Sequence, residues 1–111
     1  MTAFVILHYR AIDTTRKCVE SIKALAGAKH IVIVDNASPN GTGAELAQKF
    51  ASDPYVDVIL NPDNSGFARG NNLGVRYVAD ELDADFVCVL NNDVEIQQHG
   101  FIEGIERIYE E

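Results

Sequence analysis

Apolar residues in this chain fall into two spacings that alternate along its length. The first is the short unbroken run. Ala3–Leu7, Ile31–Val34 and Phe86–Leu90 are continuous and rich in Val and Ile. Runs of this kind suit strands buried on both faces, as in a parallel sheet. Tyr55–Leu60 is less uniform because Asp57 interrupts it, and it is placed nearer the sheet edge. The second spacing is helical. Cys18, Val19, Ile22, Leu25 and Ala26 form one apolar face. Asp13 or Thr14 is the expected cap of that helix and Gly27 its stop. Thr42-Gly43-Ala44-Glu45 has capping-box spacing and predicts a short helix burying Leu46, Ala47 and Phe50. A third helix is predicted from about Phe67 to Ala79. Val94-Glu95-Ile96 reads as a short strand, and Phe101, Ile102, Ile105, Ile108 and Tyr109 as the face of a last helix.

The resulting order, βαβαβαβ(β)α, specifies an α/β fold. It is a doubly wound, mostly parallel sheet with helices on both faces and right-handed crossovers. The 111 residues suffice for a single domain spanning 1–111. Gly66, Gly70 and Gly74 recur every four residues and share one side of the third helix. Mid-helix glycine costs about 1 kcal/mol relative to Ala, so either the sheet or a ligand must come close to that backbone.

Three predicted strands end in polar residues: His8-Tyr9, Asp35-Asn36 and Asn91-Asn92-Asp93. In a parallel sheet these ends share one rim, the edge where open α/β sheets bind ligands. Asp93 is the metal candidate, because Mg²⁺ and Mn²⁺ take oxygen ligands, often one or two carboxylates completed by substrate phosphates. Asn91 can offer a carbonyl oxygen to a ribose hydroxyl or to a metal-bound water. Asp35 can accept from a nucleobase or ribose, or satisfy N–H groups of Asn36–Asn40. Tyr9 can stack on a base. His8 reads equally as a ligand contact or a satisfied strand-end histidine. Asn72 either reaches across the cleft from the glycine-rich helix or ties down the loop before it. Arg10 and Arg69 are the basic residues near the rim.

Composition narrows the partners. A net charge of -8 argues against nucleic acid, whose backbone is held by Lys and Arg. A phosphorylated ligand would need a metal and backbone N–H groups for much of its charge. Cys18 and Cys88 lack disulfide or metal spacing and read as reduced core thiols. No run approaches the roughly 20 apolar residues of a membrane span. Ala3–Leu7 is too short for a secretory leader and lacks a basic flank, so the expected compartment is the cytoplasm. No nucleophilic triad, dinucleotide fingerprint or P-loop is visible.

Four segments together resemble the amino-terminal half of a family 2 glycosyltransferase of GT-A fold, close to the rhamnosyltransferase-like branch. They are Val5–Arg10, Ile33–Ser38, Asn64–Gly74 and Val89–Val94, in this order and at this spacing. The resemblance implies inverting transfer of a sugar from a nucleotide-diphosphate donor to an acceptor hydroxyl, with a divalent metal. It assigns His8 and Tyr9 to the nucleotide pocket and Asp35 to the base. It assigns Asn91, Asn92 and Asp93 to the ribose and the metal on the diphosphate. The motif's first position is Asn91 rather than aspartate. The family's second half, with its acceptor pocket and general base, maps to nothing in these residues. The chain is therefore expected to be a fragment of a longer enzyme or a natural short form. An uncovered sheet surface would favour self-association. The alternative is a non-catalytic nucleotide-binding or interaction module of the same fold. A signalling receiver domain would need an acidic pair where this chain has His8-Tyr9-Arg10.

Overall fold

The computed structural model describes residues 1–62 and 67–92. Its elements are β1 (Thr2–His8), α1 (Ile12–Lys23), β2 (Lys29–Asn36), α2 (Thr42–Lys49), β3 (Val56–Asn61), α3 (Phe67–Glu81) and β4 (Phe86–Asn91). The expected strand at Val94–Ile96, the helix over Phe101–Tyr109, Gly66 and Asp93 lie outside the described residues.

The strands form one sheet in the order β3-β2-β1-β4. Every pairing is parallel. The chain steps outward from β1 to β2 to β3, then returns past β1 to β4. Right-handed crossovers put helices of the outward steps on one face and the helix of the return step on the other. Side chains follow this division. Phe4, Ile6, Ile31 and Ile33 pack with Cys18, Val19 and Ile22 of α1 and Leu46 of α2. On the opposite face Ala3, Val5, Leu7, Val32 and Val34 pack with Val78 of α3.

The glycine spacing of α3 is explained by the sheet. An added Cβ on Gly70 would lie 2.5 Å from Leu7 Cδ1, and one on Gly74 would lie 2.4 Å from Val5 Cγ1. The helix rests directly on β1 and β2. Asp57 interrupts the β3 pattern without being stranded. Its Oδ2 accepts from Tyr77 Oη of α3 at 2.8 Å and meets His30 Nε2 of β2 at the same distance. As expected, β3 is an edge strand.

Three expectations need correction. β4 is not buried on both faces. Val87 and Val89 are each 42% exposed, on the face they share with Ala3 and Val5. α3 leans over β1 and β2 and leaves these side chains open. The start of α1 uses neither Asp13 nor Thr14 as a cap. Its N-cap is Ala11, without a side-chain hydrogen bond. The capping box at Thr42 does not form either. The N-cap is Gly41 in the left-handed region, and the Thr42 hydroxyl is engaged elsewhere. Cys18 and Cys88 are both free, as expected, and burial pushes the Cys88 thiol above its ordinary pKa. Among the described residues no helix is long and apolar enough to cross a membrane.

Candidate functional site

Four parallel strands put their carboxyl ends on one rim, and the order 3-2-1-4 places the topological switch between β1 and β4. His8 and Asp35 are register partners at that rim, so their side chains sit side by side on the α1/α2 face. Leu7 pairs with Asn91, which directs Asn91 to the α3 face, where it is exposed. The predicted convergence of the first, second and fourth strand ends is therefore present up to Asn92.

Asp35 is nearly buried, at 7% exposure. Its Oδ1 accepts the Ser38 backbone N–H at 3.3 Å. On its other side lies the first turn of α2. An added Cβ on Gly43 would meet Asp35 Oδ2 at 2.0 Å. Only glycine leaves room for the carboxylate there. The helix N-terminus, with its unpaired N–H groups and positive end of the dipole, suits a negative charge.

His8 is fully buried. Its Nδ1 lies 2.6 Å from Thr15 Oγ1 of α1 and its Nε2 lies 2.8 Å from Thr42 Oγ1 of α2. Both ring nitrogens are thus taken by protein hydroxyls, and the ring offers no atom to a ligand. Of the two readings the sequence offered for His8, the ring fits that of a satisfied strand-end histidine rather than a side-chain contact in the nucleotide pocket. Burial lowers its pKa below the ordinary value, against an opposing pull from Asp35.

The loops after β1 and β2 are clipped together. Arg10, at φ 64, donates its N–H to Ser38 Oγ at 2.9 Å and accepts from Asn40 Nδ2 at 3.1 Å. Ala37, at φ 58, is a second non-glycine residue in the left-handed region. Backbone held in that region costs on the order of 1–3 kcal/mol and persists where surrounding contacts enforce it. Tyr9 projects from the clip, 40% exposed, with the Arg10 guanidinium over its ring at 5.2 Å. Among the described residues it is an aromatic exposed at this rim.

A cavity of about 610 Å³ lies at the other end of the sheet, lined in part by Lys23, Lys29, His30 and Tyr55. Its basic side chains are already engaged. Lys23 pairs with Asp53, His30 meets Asp57, and Lys29 Nζ donates to the Leu25 carbonyl. Nothing there matches the chemistry of the rim.

A model of the family described as Glycosyl transferase family 2 matches residues 3–111. The chain belongs to this family. Low-salt glycan biosynthesis hexosyltransferase Agl10 of Haloferax volcanii is 33% identical over 107 residues, which is 96% of this chain and 31% of that protein. Two crystal structures of S. aureus TarS, one of them of residues 1–349, superpose with TM-score 0.78 at 17% identity. Each covers 98% of this chain, which spans 19% and 32% of the respective TarS chains. The sheet is GT-A-like, and the chain spans about a third of the curated relative it matches.

In this glycosyltransferase family member the rim gathers Tyr9, Asp35, Asn91 and Asn92 around buried His8. Asn72 is exposed, and it is offset from Gly70 and Gly74, which mark the sheet side of α3. Its neighbour Asn71 is half-buried, with an Oδ1 that has no hydrogen-bond partner among the described residues. Sequence reasoning also passed over Thr15, Ser38, Asn40 and Gly43. The Asn-Gly-Thr-Gly run before α2 was the available signal for the last of these.

Proposed function

We propose that this chain is the donor-binding half of a family 2 glycosyltransferase. It would bind a nucleotide-diphosphate sugar at the carboxyl rim of the sheet, with a divalent metal, for inverting transfer of the sugar to an acceptor hydroxyl. The observation that carries this reading is the pairing of His8 with Asp35 at the ends of β1 and β2, while parallel β4 delivers Asn91 and Asn92 to the same edge. A hexosyltransferase relative supports a hexose or related sugar as the transferred group.

The roles follow from exposure. Tyr9 stacks on the base. Asp35, held against α2, accepts from the base or ribose. Asn91, exposed at the end of β4, offers its amide to the ribose. Among the described residues no cluster of three or more His, Cys, Asp or Glu could hold a metal. Mg²⁺ and Mn²⁺ are often held by a single carboxylate, with diphosphate oxygens completing the shell. Asp93, next after Asn92, supplies the carboxylate. When bound, the metal stabilises charge on the departing nucleoside diphosphate. In the reaction the acceptor oxygen bonds to the anomeric carbon on the face opposite the breaking carbon–diphosphate bond, and the acceptor proton goes to a base. No side chain on this rim is assigned as that base.

Calorimetry of the chain with UDP-, GDP- and dTDP-sugars, with and without Mn²⁺, tests the reading. One nucleotide is expected to bind, more tightly with Mn²⁺, and Asp93→Ala should remove the Mn²⁺ dependence. Absence of binding to every nucleotide at millimolar concentration would instead leave a non-catalytic module of the same fold.

A further inference from the structure

A single hydrogen at each hydroxyl fixes the direction of the network around His8. Asn40 Oδ1 accepts from the Thr42 backbone N–H at 3.4 Å and from Thr42 Oγ1 at 2.8 Å, while its Nδ2 donates to the Arg10 carbonyl. Both ends of the amide agree on its orientation. The Thr42 hydroxyl hydrogen is therefore committed to Asn40. Thr42 Oγ1 can then meet His8 Nε2 at 2.8 Å only as an acceptor, so Nε2 carries the hydrogen. In the neutral ring Nδ1 is a bare lone pair, and Thr15 Oγ1–H donates to it at 2.6 Å. Thr15 Oγ1 keeps a lone pair, which accepts from Asn92 Nδ2 at 3.2 Å. The bonds run one way, from Asn92 through Thr15, His8 and Thr42 to Asn40.

We propose that His8 is a positioning residue, held as the neutral Nε2–H tautomer, that couples the end of β4 to the loop after β2 across the tip of β1. It touches no donor itself. It fixes Asn92, the residue before Asp93, relative to the Arg10–Ser38–Asn40 clip that frames Asp35 and Tyr9. The functional side of this coupling rests on the donor-binding reading above; the tautomer and the coupling themselves do not. A buried chain of this kind is sensitive to its weakest member, because removing one partner leaves the next group unsatisfied.

Nitrogen NMR of the whole chain is the test, with Thr42→Val and Thr42→Ser as the variants. The wild type should show a pyrrole-like Nε2 and a pyridine-like Nδ1 at His8. Thr42→Val keeps the shape but removes the acceptor. It should drive His8 away from the Nε2–H form and move the Asn92 side-chain amide resonances, on the far side of the ring. Thr42→Ser restores the hydroxyl and should restore both signals. An Nδ1–H ring or an imidazolium in the wild type overturns the proposal, as does an Asn92 amide that ignores Thr42→Val. Loss of one buried hydrogen bond should also weaken nucleotide binding about tenfold in Thr42→Val. Unchanged affinity in a variant with a shifted tautomer overturns the positioning role. If the wild type binds no nucleotide, the donor-binding reading fails while the NMR result still decides the coupling.

Discussion

Gly43→Ala is the substitution that most directly joins the fold to the site. In an ordinary helix, alanine for glycine stabilises by up to about 1 kcal/mol. At this position the new Cβ would lie 2.0 Å from Asp35 Oδ2, 2.2 Å from its Cγ and 2.8 Å from its Cβ. Rotating the carboxylate tip is not enough to clear a contact that reaches the Asp35 Cβ. Overpacking of this kind costs about 1–3 kcal/mol. Displacing the carboxylate also breaks its bond from the Ser38 N–H, a charged hydrogen bond worth about 1.5–3 kcal/mol. Subtracting the helix gain leaves a net destabilisation of about 1.5–5 kcal/mol, a large share of the about 5–15 kcal/mol typical of a domain. Urea unfolding should show a lower midpoint with an unchanged slope. Gly41→Ala provides the contrast. Gly41 has φ 76 and nothing within 4 Å of an added Cβ, so the cost there is backbone strain alone, about 1–2 kcal/mol. On the proposed function Gly43→Ala should also weaken nucleotide binding, and Gly41→Ala should weaken it less. A Gly43→Ala chain as stable as the wild type would refute the claim that this glycine makes room for Asp35.

Gly74→Ala should likewise destabilise, by about 1–3 kcal/mol, because its Cβ would enter Val5 and press on Val34; a stabilised variant in thermal unfolding would count against close packing of α3 on the sheet. Burial, reinforced by the Asp57 bond and charge, pushes the Tyr77 phenol up to about 12. Ultraviolet titration of the wild type against Tyr77→Phe should assign the last ionising tyrosine to Tyr77, and loss of an earlier step instead would contradict its bond to Asp57. His8 has a folded pKa below its ordinary 6.5, so the unfolded chain takes up the proton first as pH falls. Its contribution to stability is complete above pH 6.5 and is lost progressively below it, down to the folded pKa. The His8 ring-proton resonance should titrate with a midpoint below 6.5, whereas a midpoint at or above 6.5 would contradict its burial.

Much of the fold was legible because each strand announces itself by an apolar run and each is followed by a helical face. Asp57 correctly marked the edge strand, since a charged residue survives there only with partners such as Tyr77 and His30. The glycine spacing of α3 pointed to close approach, and Val5, Leu7 and Val34 are what approach it. What the pattern hid was coverage. Val87 and Val89 belong to a run no different from those of β1 and β2, yet they stay exposed because α3 sits over the neighbouring strands. A single-strand pattern carries no information about which neighbours a helix will cover. The role of His8 was hidden for a related reason. Its partners Thr15 and Thr42 lie in two different helices and come together only when both helices pack on the α1/α2 face. The capping-box reading of Thr42 failed to the same competition, because its hydroxyl lies between His8 and Asn40 rather than on the helix N–H groups.

The rim has two layers, and the distinction bears on which residues can carry chemistry. The inner layer consists of His8, Thr15, Thr42, Asn40 and the Ser38-facing oxygen of Asp35. These groups satisfy one another within the protein. Buried polar groups must be paired, so their hydrogen bonds are already committed before any ligand arrives. The outer layer is Tyr9 and Asn91, exposed beside the switch point, with Asn92 joining the two. Sequence alone treats all these polar strand endings alike, because every one of them follows an apolar run. Register separates them. Residues paired across β1 and β2 on the α1/α2 face are sealed by helix starts, while Asn91, on the α3 face of an open strand, is not. On the proposed function the inner layer sets the geometry of the site, and its substitutions should act on stability and nucleotide affinity together. Substitutions in the outer layer, which has few protein partners to lose, should act on affinity with little effect on stability.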